Sequence, residues 1–130
     1  MNILKSIGAV LAGLIFIIVT HSVTDKILEG TGILPPPEQG LFDTGLLLLA
    51  TAYRSVLSIA GCYITAKLAP SRPILHALVL GVIGVIGSLV GGIVATQMNL
   101  GPLWYPILLA VLSIPIALFG GWLAARKAVR

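Results

Sequence analysis

The stretch PILHALVLGVIGVIGSLVGGIVAT, residues 73–96, contains no Asp, Glu, Lys or Arg. A transmembrane helix needs about 20 consecutive apolar residues, each adding about 1.5 Å of length. This stretch is therefore long enough to cross a bilayer and predicts a membrane-spanning helix. Other runs along the chain have the same character. We predict four spans in all, at about residues 6–24, 42–68, 73–96 and 105–125.

The composition of the whole chain agrees with a membrane protein. Hydrophobic residues make up 58% of its 130 residues and charged residues 9%, and its mean hydropathy is +1.10. A soluble domain carries about a quarter charged residues, so this chain has too few charges to cover a surface that faces water. High hydrophobicity excludes disorder, and the single Cys62 excludes a disulfide scaffold. The net charge of +4 does not indicate nucleic-acid binding, because the basic residues are scattered between apolar segments.

The connections and the basic residues predict how the spans are arranged. We expect an outer loop at 29–41, and short turns at 69–73 and 98–104 that make neighbouring spans antiparallel. Lys and Arg accumulate on the cytoplasmic side of membrane proteins. The basic residues predicted on one side are Lys5, Lys67, Arg72, Arg126, Lys127 and Arg130. The expected fold is all-α, a four-transmembrane-helix bundle that forms one domain over residues 1–130, with both termini in the cytoplasm.

The first span has an alternative interpretation. Its apolar run after Lys5 is short enough to be the core of a secretory signal peptide. The sequence Thr20-His21-Ser22 makes a poor cleavage site, because a bulky polar histidine stands between the small residues. We therefore expect the first helix to be retained.

Arg54 is the most informative residue, because it lies inside the apolar run of the second span. A charge at such a depth costs about 3 kcal/mol on insertion scales and needs a partner. The first span offers Asp25 and His21, which are neighbours on one helix face. We predict an Arg54–Asp25 ion pair, with His21 and Ser22 in the same polar pocket. Tyr53, about 100° away from the Arg54 face, is expected to be a packing or interface residue.

Two interpretations of this polar cluster stay open. In one, the Arg54–Asp25 pair is a buried salt bridge that fixes the packing of the first two helices. In the other, the cluster serves transport or a proton relay, because intramembrane charge is enriched at functional sites.

Small residues form a row along the third span. Gly81, Gly84, Ser88 and Gly91 recur at three- and four-residue spacing, so they share one smooth helix face. Such faces let membrane helices approach closely. We expect this helix-packing face to contact another helix, either in the same chain or in a second copy.

The chain shows no motif that carries catalysis or metal binding. Its His, Cys, Asp and Glu residues lack metal-ligand spacing, and no GxSxG, HExxH or P-loop sequence is present. His21 and His76 are predicted in opposite leaflets, so they cannot share one haem or metal. His76 is expected to face water or lipid head groups. We expect no enzymatic activity, no cofactor and no metal site.

Three segments resemble a group of small uncharacterised bacterial inner-membrane proteins. They are LATAYR at 49–54, GCYITAKLAPSRP at 61–73 with HAL at 76–78, and GPLWYP at 101–106. The resemblance covers most of spans two to four and implies a four-helix protein of the bacterial inner (plasma) membrane. It implies no activity or ligand, so no functional residue is transferred from it.

The favoured function at this point is a non-enzymatic protein of the lipid bilayer that acts through helix–helix association. It would work as a homo-oligomer or as an accessory subunit of a larger membrane complex. The alternative is a small oligomeric transporter or channel with a polar pocket at Arg54, Asp25 and His21. A dry Asp25 contact with no cavity favours the first function, whereas a hydrated cavity that opens outward favours the second.

Overall fold

A computed structural model of the chain describes residues 3–36 and 40–128. The described chain is helical, with α1 at Ile3–Gly30, α2 at Thr44–Leu68, α3 at Pro73–Gln97 and α4 at Trp104–Ala128. Each of the four helices is long and apolar enough to cross a membrane. The predicted all-α fold with four possible spans is therefore confirmed. Residues 37–39 of the predicted outer loop, and Arg130 among the predicted basic residues, lie outside the described residues.

The largest difference from the predicted boundaries is at the end of α1. We predicted that the first span ends near residue 24, but the helix continues to Gly30. No Gly or Pro interrupts the chain between Thr24 and Gly30, so the helix has no local reason to stop earlier. It ends in a turn in which Gly32 takes a positive φ of 85°. Asp25 is therefore held inside the helix, not in a loop.

The remaining helix ends follow local capping rules. The side chain of Asp43 accepts a hydrogen bond from the Leu46 amide at 3.1 Å and so caps the start of α2. α2 ends at Leu68, just before Pro70, and α3 begins with Pro73 in its first turn, where a missing amide hydrogen costs least.

The bundle has two distinct ends, which we name by their contents. The basic end contains the start of α1, the end of α2, the start of α3 and the end of α4, with Lys5, Lys67, Arg72 and Arg126. The loop end contains the described parts of segment 31–43 together with segment 98–103. α1 packs on α2, α2 packs on α4, and α3 and α4 form the most extensive helix pair.

The helices are held together most tightly towards the basic end. Small and medium side chains fill this region: Cys62, Ala66, Ala77, Leu80, Ala117 and Ala124. The Thr65 hydroxyl donates to the Ala9 carbonyl at 2.8 Å, which joins α2 to α1. Here the backbones are close enough that a Cβ atom on Gly13 of α1 would lie 2.8 Å from Leu80 of α3.

The prediction that His76 faces water or lipid head groups is wrong, because His76 is only 7% exposed. Its Nδ1 donates to the Arg72 carbonyl at 2.9 Å, since a carbonyl can only accept. Its Nε2 lies 2.9 Å from the Ser6 hydroxyl of α1. His76 therefore ties α3 to α1 at the basic end.

Candidate functional site

Arg54 and Asp25 form an ion pair between α2 and α1. Arg54 Nη2 lies 2.5 Å from Asp25 Oδ2, which is the contact that the sequence predicts. The extra length of α1 makes this contact possible, because it holds Asp25 on the helix face that meets α2. The side chains of Arg54 and Asp25 are 28% and 26% exposed, so the pair is not sealed in a dry interface.

Tyr53 is a second partner of Asp25 that the sequence pattern did not reveal. The Tyr53 hydroxyl donates to Asp25 Oδ1, so each carboxylate oxygen receives one donor. Adjacent residues on a helix do not share a face, and for this reason Tyr53 was expected to pack elsewhere. Asp25 lies between the two side chains, and both are long enough to reach it.

His21 and Ser22 end up in different places. His21 is half-buried, and its Nε2 lies 3.4 Å from the Ser58 hydroxyl of α2. Ser22 is exposed and does not line the cavity described next. One step along a helix rotates a side chain by about 100°, so the face that presents His21 and Asp25 to α2 turns Ser22 away.

A cavity of about 610 Å³ lies beside the ion pair, among all four helices. Arg54 and His21 form part of its wall. Hydroxyl groups of four serines also line it: Ser55, Ser58, Ser88 and Ser113. Most of the remaining wall is aliphatic, with Leu14 and Ile17 from α1 and Leu80 and Ile83 from α3. The cavity wall is thus mostly apolar, with Arg54, His21 and the four serines as its polar residues.

Two buried polar atoms at this cavity have no hydrogen-bond partner among the described residues. They are Nε of Arg54 and the hydroxyl oxygen of Tyr105, and both residues line the cavity. A polar group without a partner in an apolar medium costs about 2–7 kcal/mol, and a bilayer core supplies no water to satisfy it. Both atoms are thus buried donors whose hydrogen bonds the described residues leave unsatisfied.

Two loop segments line the cavity at the loop end. The Leu41 amide donates to the Leu100 carbonyl at 2.7 Å, which joins the two loop segments. Gly40 permits this contact, because its φ is +75° and a Cβ atom there would lie 2.7 Å from the Leu100 carbonyl oxygen. Leu41, Leu100 and Gly101 line the cavity from this side. We call this contact the roof.

The cavity is open on its side, between α1 and α3. Ile18 of α1 lines it and is 54% exposed. Gly87 and Gly91 of α3 also line it and are exposed, and a Cβ atom on either glycine would meet nothing within 4 Å. α1 and α3 approach each other near the basic end and leave this gap towards the loop end. In a bilayer, such a gap faces lipid.

The predicted helix-packing face of α3 divides into two parts. Gly81 and Gly84 lie against α4, where the Ser113 hydroxyl donates to the Gly81 carbonyl at 2.7 Å. Gly81, Gly84, Ser88 and Gly91 all line the cavity, but a Cβ atom on Gly91 would meet nothing within 4 Å. Gly92, one residue further along, takes over the contact with α4 through Pro106. The same row therefore serves close packing at one end and an open wall at the other.

Within the described residues, no group of three or more His, Cys, Asp or Glu side chains is placed to hold a metal ion. The site offers the polar side chains of His21 and four serines in a mostly apolar wall, next to an internally neutralised ion pair. Comparison with protein-family models, with curated proteins and with solved structures gives no match. The resemblance to small bacterial inner-membrane proteins therefore stays a prediction.

Proposed function

We propose that the protein is a non-enzymatic multi-pass membrane protein that holds a small ligand in the cavity beside Arg54 and acts as a small transporter or carrier. The observation that carries this proposal is the cavity of about 610 Å³ with Arg54, the cation of the Arg54–Asp25 pair, in its wall. Ligand pockets in proteins have volumes of about 300–1,000 Å³, with mostly apolar walls and a few converging polar groups. This cavity has both properties.

A purely structural role for the ion pair is less well supported. A salt bridge that only fixes helix packing needs a tight contact between α1 and α2 and gains nothing from an adjacent space. Here one guanidinium nitrogen contacts Asp25, while Nε of the same group is buried and unpaired at the cavity. The arrangement therefore supports a ligand site over a role in packing alone. The expected opening to the outside is not found, because the opening lies at the side, between α1 and α3.

We further propose that the membrane is a bacterial inner membrane and that both termini lie in the cytoplasm. The distribution of charge supports this orientation, because Lys5, Lys67, Arg72 and Arg126 are all at the basic end. The loop end, with the roof, then faces the outside.

The experiment that tests ligand binding is to fill the mouth of the cavity. Gly87→Phe adds an aromatic side chain at a lining position where a Cβ atom would meet nothing within 4 Å, so it is designed to obstruct the opening. Ile86→Phe is the matched control, because Ile86 is 57% exposed and does not line the cavity. Mass spectrometry of the purified proteins measures the small molecules that remain bound.

We expect the unaltered protein and Ile86→Phe to retain a bound molecule in near-stoichiometric amount, and Gly87→Phe to lose most of it. Equal retention in the two variants, or no retained molecule in the unaltered protein, would contradict the proposed function.

Association with a second copy or a larger complex is a second candidate function, favoured by one observation. Gly87 and Gly91 form an exposed smooth surface on α3, of the kind that membrane helices use for close contact. A second copy on this surface would close the cavity opening. Native mass measurement in detergent tests it: Gly91→Leu should convert an oligomer to a monomer, and a protein that is monomeric without substitution excludes it.

A further inference from the structure

We propose that the ligand is a membrane lipid that the cavity recognises by the length of its hydrocarbon chain and not by its head group. The chain enters from the bilayer through the gap between α1 and α3 and lies along the helices. This inference rests on the proposed function and specifies the ligand class of the same site.

The charged and aromatic polar groups near the cavity offer little to a polar ligand. The Asp25 carboxylate neutralises Arg54 at 2.5 Å, and His21 Nε2 lies 3.4 Å from the Ser58 hydroxyl. The two unpaired donors, Nε of Arg54 and the Tyr105 hydroxyl, are covered by protein atoms, so a molecule in the cavity does not reach them. A charged ligand group would lose its water here and find no net charge to compensate it.

The serine hydroxyls on the wall do not require a polar ligand either. The Ser113 hydroxyl already donates to a backbone carbonyl of α3 at 2.7 Å. A hydroxyl inside a helix can donate to the carbonyl four residues earlier, as Thr51 does to Leu47 at 2.9 Å in α2. Ser55 and Ser88 have the same option, because they lie inside α2 and α3. An apolar molecule in the cavity therefore leaves these groups satisfied.

The cavity is elongated parallel to the helices. Along α3 its lining residues extend from Leu80 to Ala95, which is about 22 Å at 1.5 Å per residue. The chains of bilayer lipids run in the same direction through a hydrocarbon core about 30 Å thick. The side opening, with Gly87 and Gly91 exposed in its wall, faces these chains. A lipid chain can therefore enter without turning across the bundle.

The hydrophobic core closes the cavity on the side of the basic end. The wall there includes Leu14, Cys62 and Leu80, which we call the floor. Cys62 and Leu80 belong to the core cluster, and Leu14 packs against it. Because the floor limits how far a chain can extend, it should select for chain length.

The free energy of binding comes from filling the cavity. Transfer of a chain from the bilayer brings no hydrophobic gain, because the surrounding lipid is equally apolar. An empty apolar cavity, however, leaves the atoms of its wall without van der Waals partners, and such cavities take up apolar molecules. Affinity should therefore depend on how well the chain fills the space.

Competition between matched lipids tests the inference. The delipidated protein is offered two lipids at equal concentration, and native mass spectrometry measures the bound ratio. Phosphatidylethanolamine and phosphatidylglycerol with the same chains should bind within about twofold of each other. Among phosphatidylethanolamines that differ only in chain length, one length should be preferred over both shorter and longer chains by about fivefold, because short chains leave space and long chains overfill it.

Two leucine substitutions assign the length preference to the floor. Leu14→Ala shortens a floor side chain, so the preferred chain should become longer. Leu11→Ala is the matched control, because Leu11 lies on the same helix, is 48% exposed and does not line the cavity. Its preferred chain length should equal that of the unaltered protein. Gly87→Phe should reduce the bound amount of every lipid.

Two outcomes overturn chain recognition and leave the proposed function in place. One is a bound ratio above about tenfold between the two head groups, or a retained molecule that is polar and water-soluble. The other is an affinity that rises with chain length without an optimum, equally in the unaltered protein and both leucine variants, as expected for lipid that only coats the bundle.

The remaining outcomes are also decisive. If no lipid binds and Gly87→Phe retains the same molecules as Ile86→Phe, both the inference and the proposed function fail. A retained phospholipid and a retained lipid with an isoprenoid chain each support the inference, and their masses distinguish these two sources. If Leu14→Ala does not fold, the chain-length optimum of the unaltered protein decides.

Discussion

Asp25 receives one donor on each carboxylate oxygen, from Tyr53 and from Arg54. These three residues couple α1 to α2, so each one's contribution to stability depends on the others. Removing one member of an ion pair leaves the other charge uncompensated, and this costs more than removing both. The stability of the helix pair should therefore respond to the charges in a non-additive way.

We expect Asp25→Asn to lower the free energy of unfolding by about 2–3 kcal/mol, because it leaves the Arg54 guanidinium without a counter-charge. The double variant Asp25→Asn/Arg54→Gln should recover at least half of this loss. Thermal unfolding in detergent measures both. Asp43→Asn is the control, because Asn caps a helix as well as Asp does, and it should change stability little. Additive effects of the two substitutions would show that the residues do not interact.

The Arg54–Asp25 pair could be predicted from the sequence, whereas its neighbours could not. A cation inside an apolar run demands a partner, and Asp25 was the acidic residue at the matching depth. The hydrogen bond from Tyr53 to Asp25 forms only because the long tyrosine side chain reaches across to α1. The position of Tyr105 depends on how the start of α4 packs near α2. Neither the position of Tyr53 nor that of Tyr105 is indicated by a repeating pattern of residues in the sequence.

At the scale of the elements, α3 shows how one row of small residues performs two tasks. All four glycines of the row line the cavity, but Gly81 and Gly84 also let α4 approach closely, whereas Gly87 and Gly91 have no neighbour within 4 Å of a Cβ position. The three- and four-residue spacing predicts that these positions share a face. It cannot predict where along the face a neighbour is in contact, because that depends on how the helices diverge along their length.

Alanine substitutions on this row should have opposite effects at its two ends. A Cβ atom on Gly81 would lie 2.6 Å from the Ala117 Cβ atom, so Gly81→Ala should destabilise the protein by about 1–3 kcal/mol through overpacking. Gly91→Ala meets nothing within 4 Å and should be neutral or stabilising by up to about 1 kcal/mol, because alanine favours the helix. Thermal unfolding of the two variants in detergent checks this. A Gly91→Ala protein as unstable as Gly81→Ala would mean that the α3 wall is occupied by protein.

The length of α1 could be predicted only in part from the sequence. Its apolar run indicated a span, and the continuation to Gly30 involves polar residues that hydropathy alone does not include. The helix persists there because good helix formers follow one another without Gly or Pro. That continuation decides the position of Asp25 and, with it, the geometry of the ion pair.

At the scale of the whole molecule, the bundle is closed at its basic end and divided by a gap towards its loop end. Four spans and their order could be predicted from hydropathy and short turns. The cavity could not, since it arises from the separation of α1 and α3, which are not adjacent in sequence. The hydrogen bond between Leu41 and Leu100 joins the two loop segments that line the cavity at the loop end.

The proposed orientation makes a prediction for reporter fusions. A fluorescent protein that folds only in the cytoplasm should be bright when it is fused after Arg130, because the basic end is proposed to face inward. Alkaline phosphatase, which is active only outside, should be active when it is inserted after Gly32 at the loop end. The reverse pattern would place the basic end outside and exclude the proposed topology.

The most direct test of the central claim, that the cavity admits a lipid from the bilayer, is photo-crosslinking in lipid nanodiscs. The probe is an ester-linked phosphatidylethanolamine with a diazirine in the middle of one acyl chain, and peptide mass spectrometry locates its adducts. We predict adducts on the cavity walls at Leu80, Ile83 or Leu109, and their loss in Gly87→Phe. Adducts confined to outward-facing residues such as Val56 and Val90, which are 66% and 59% exposed, would contradict the claim.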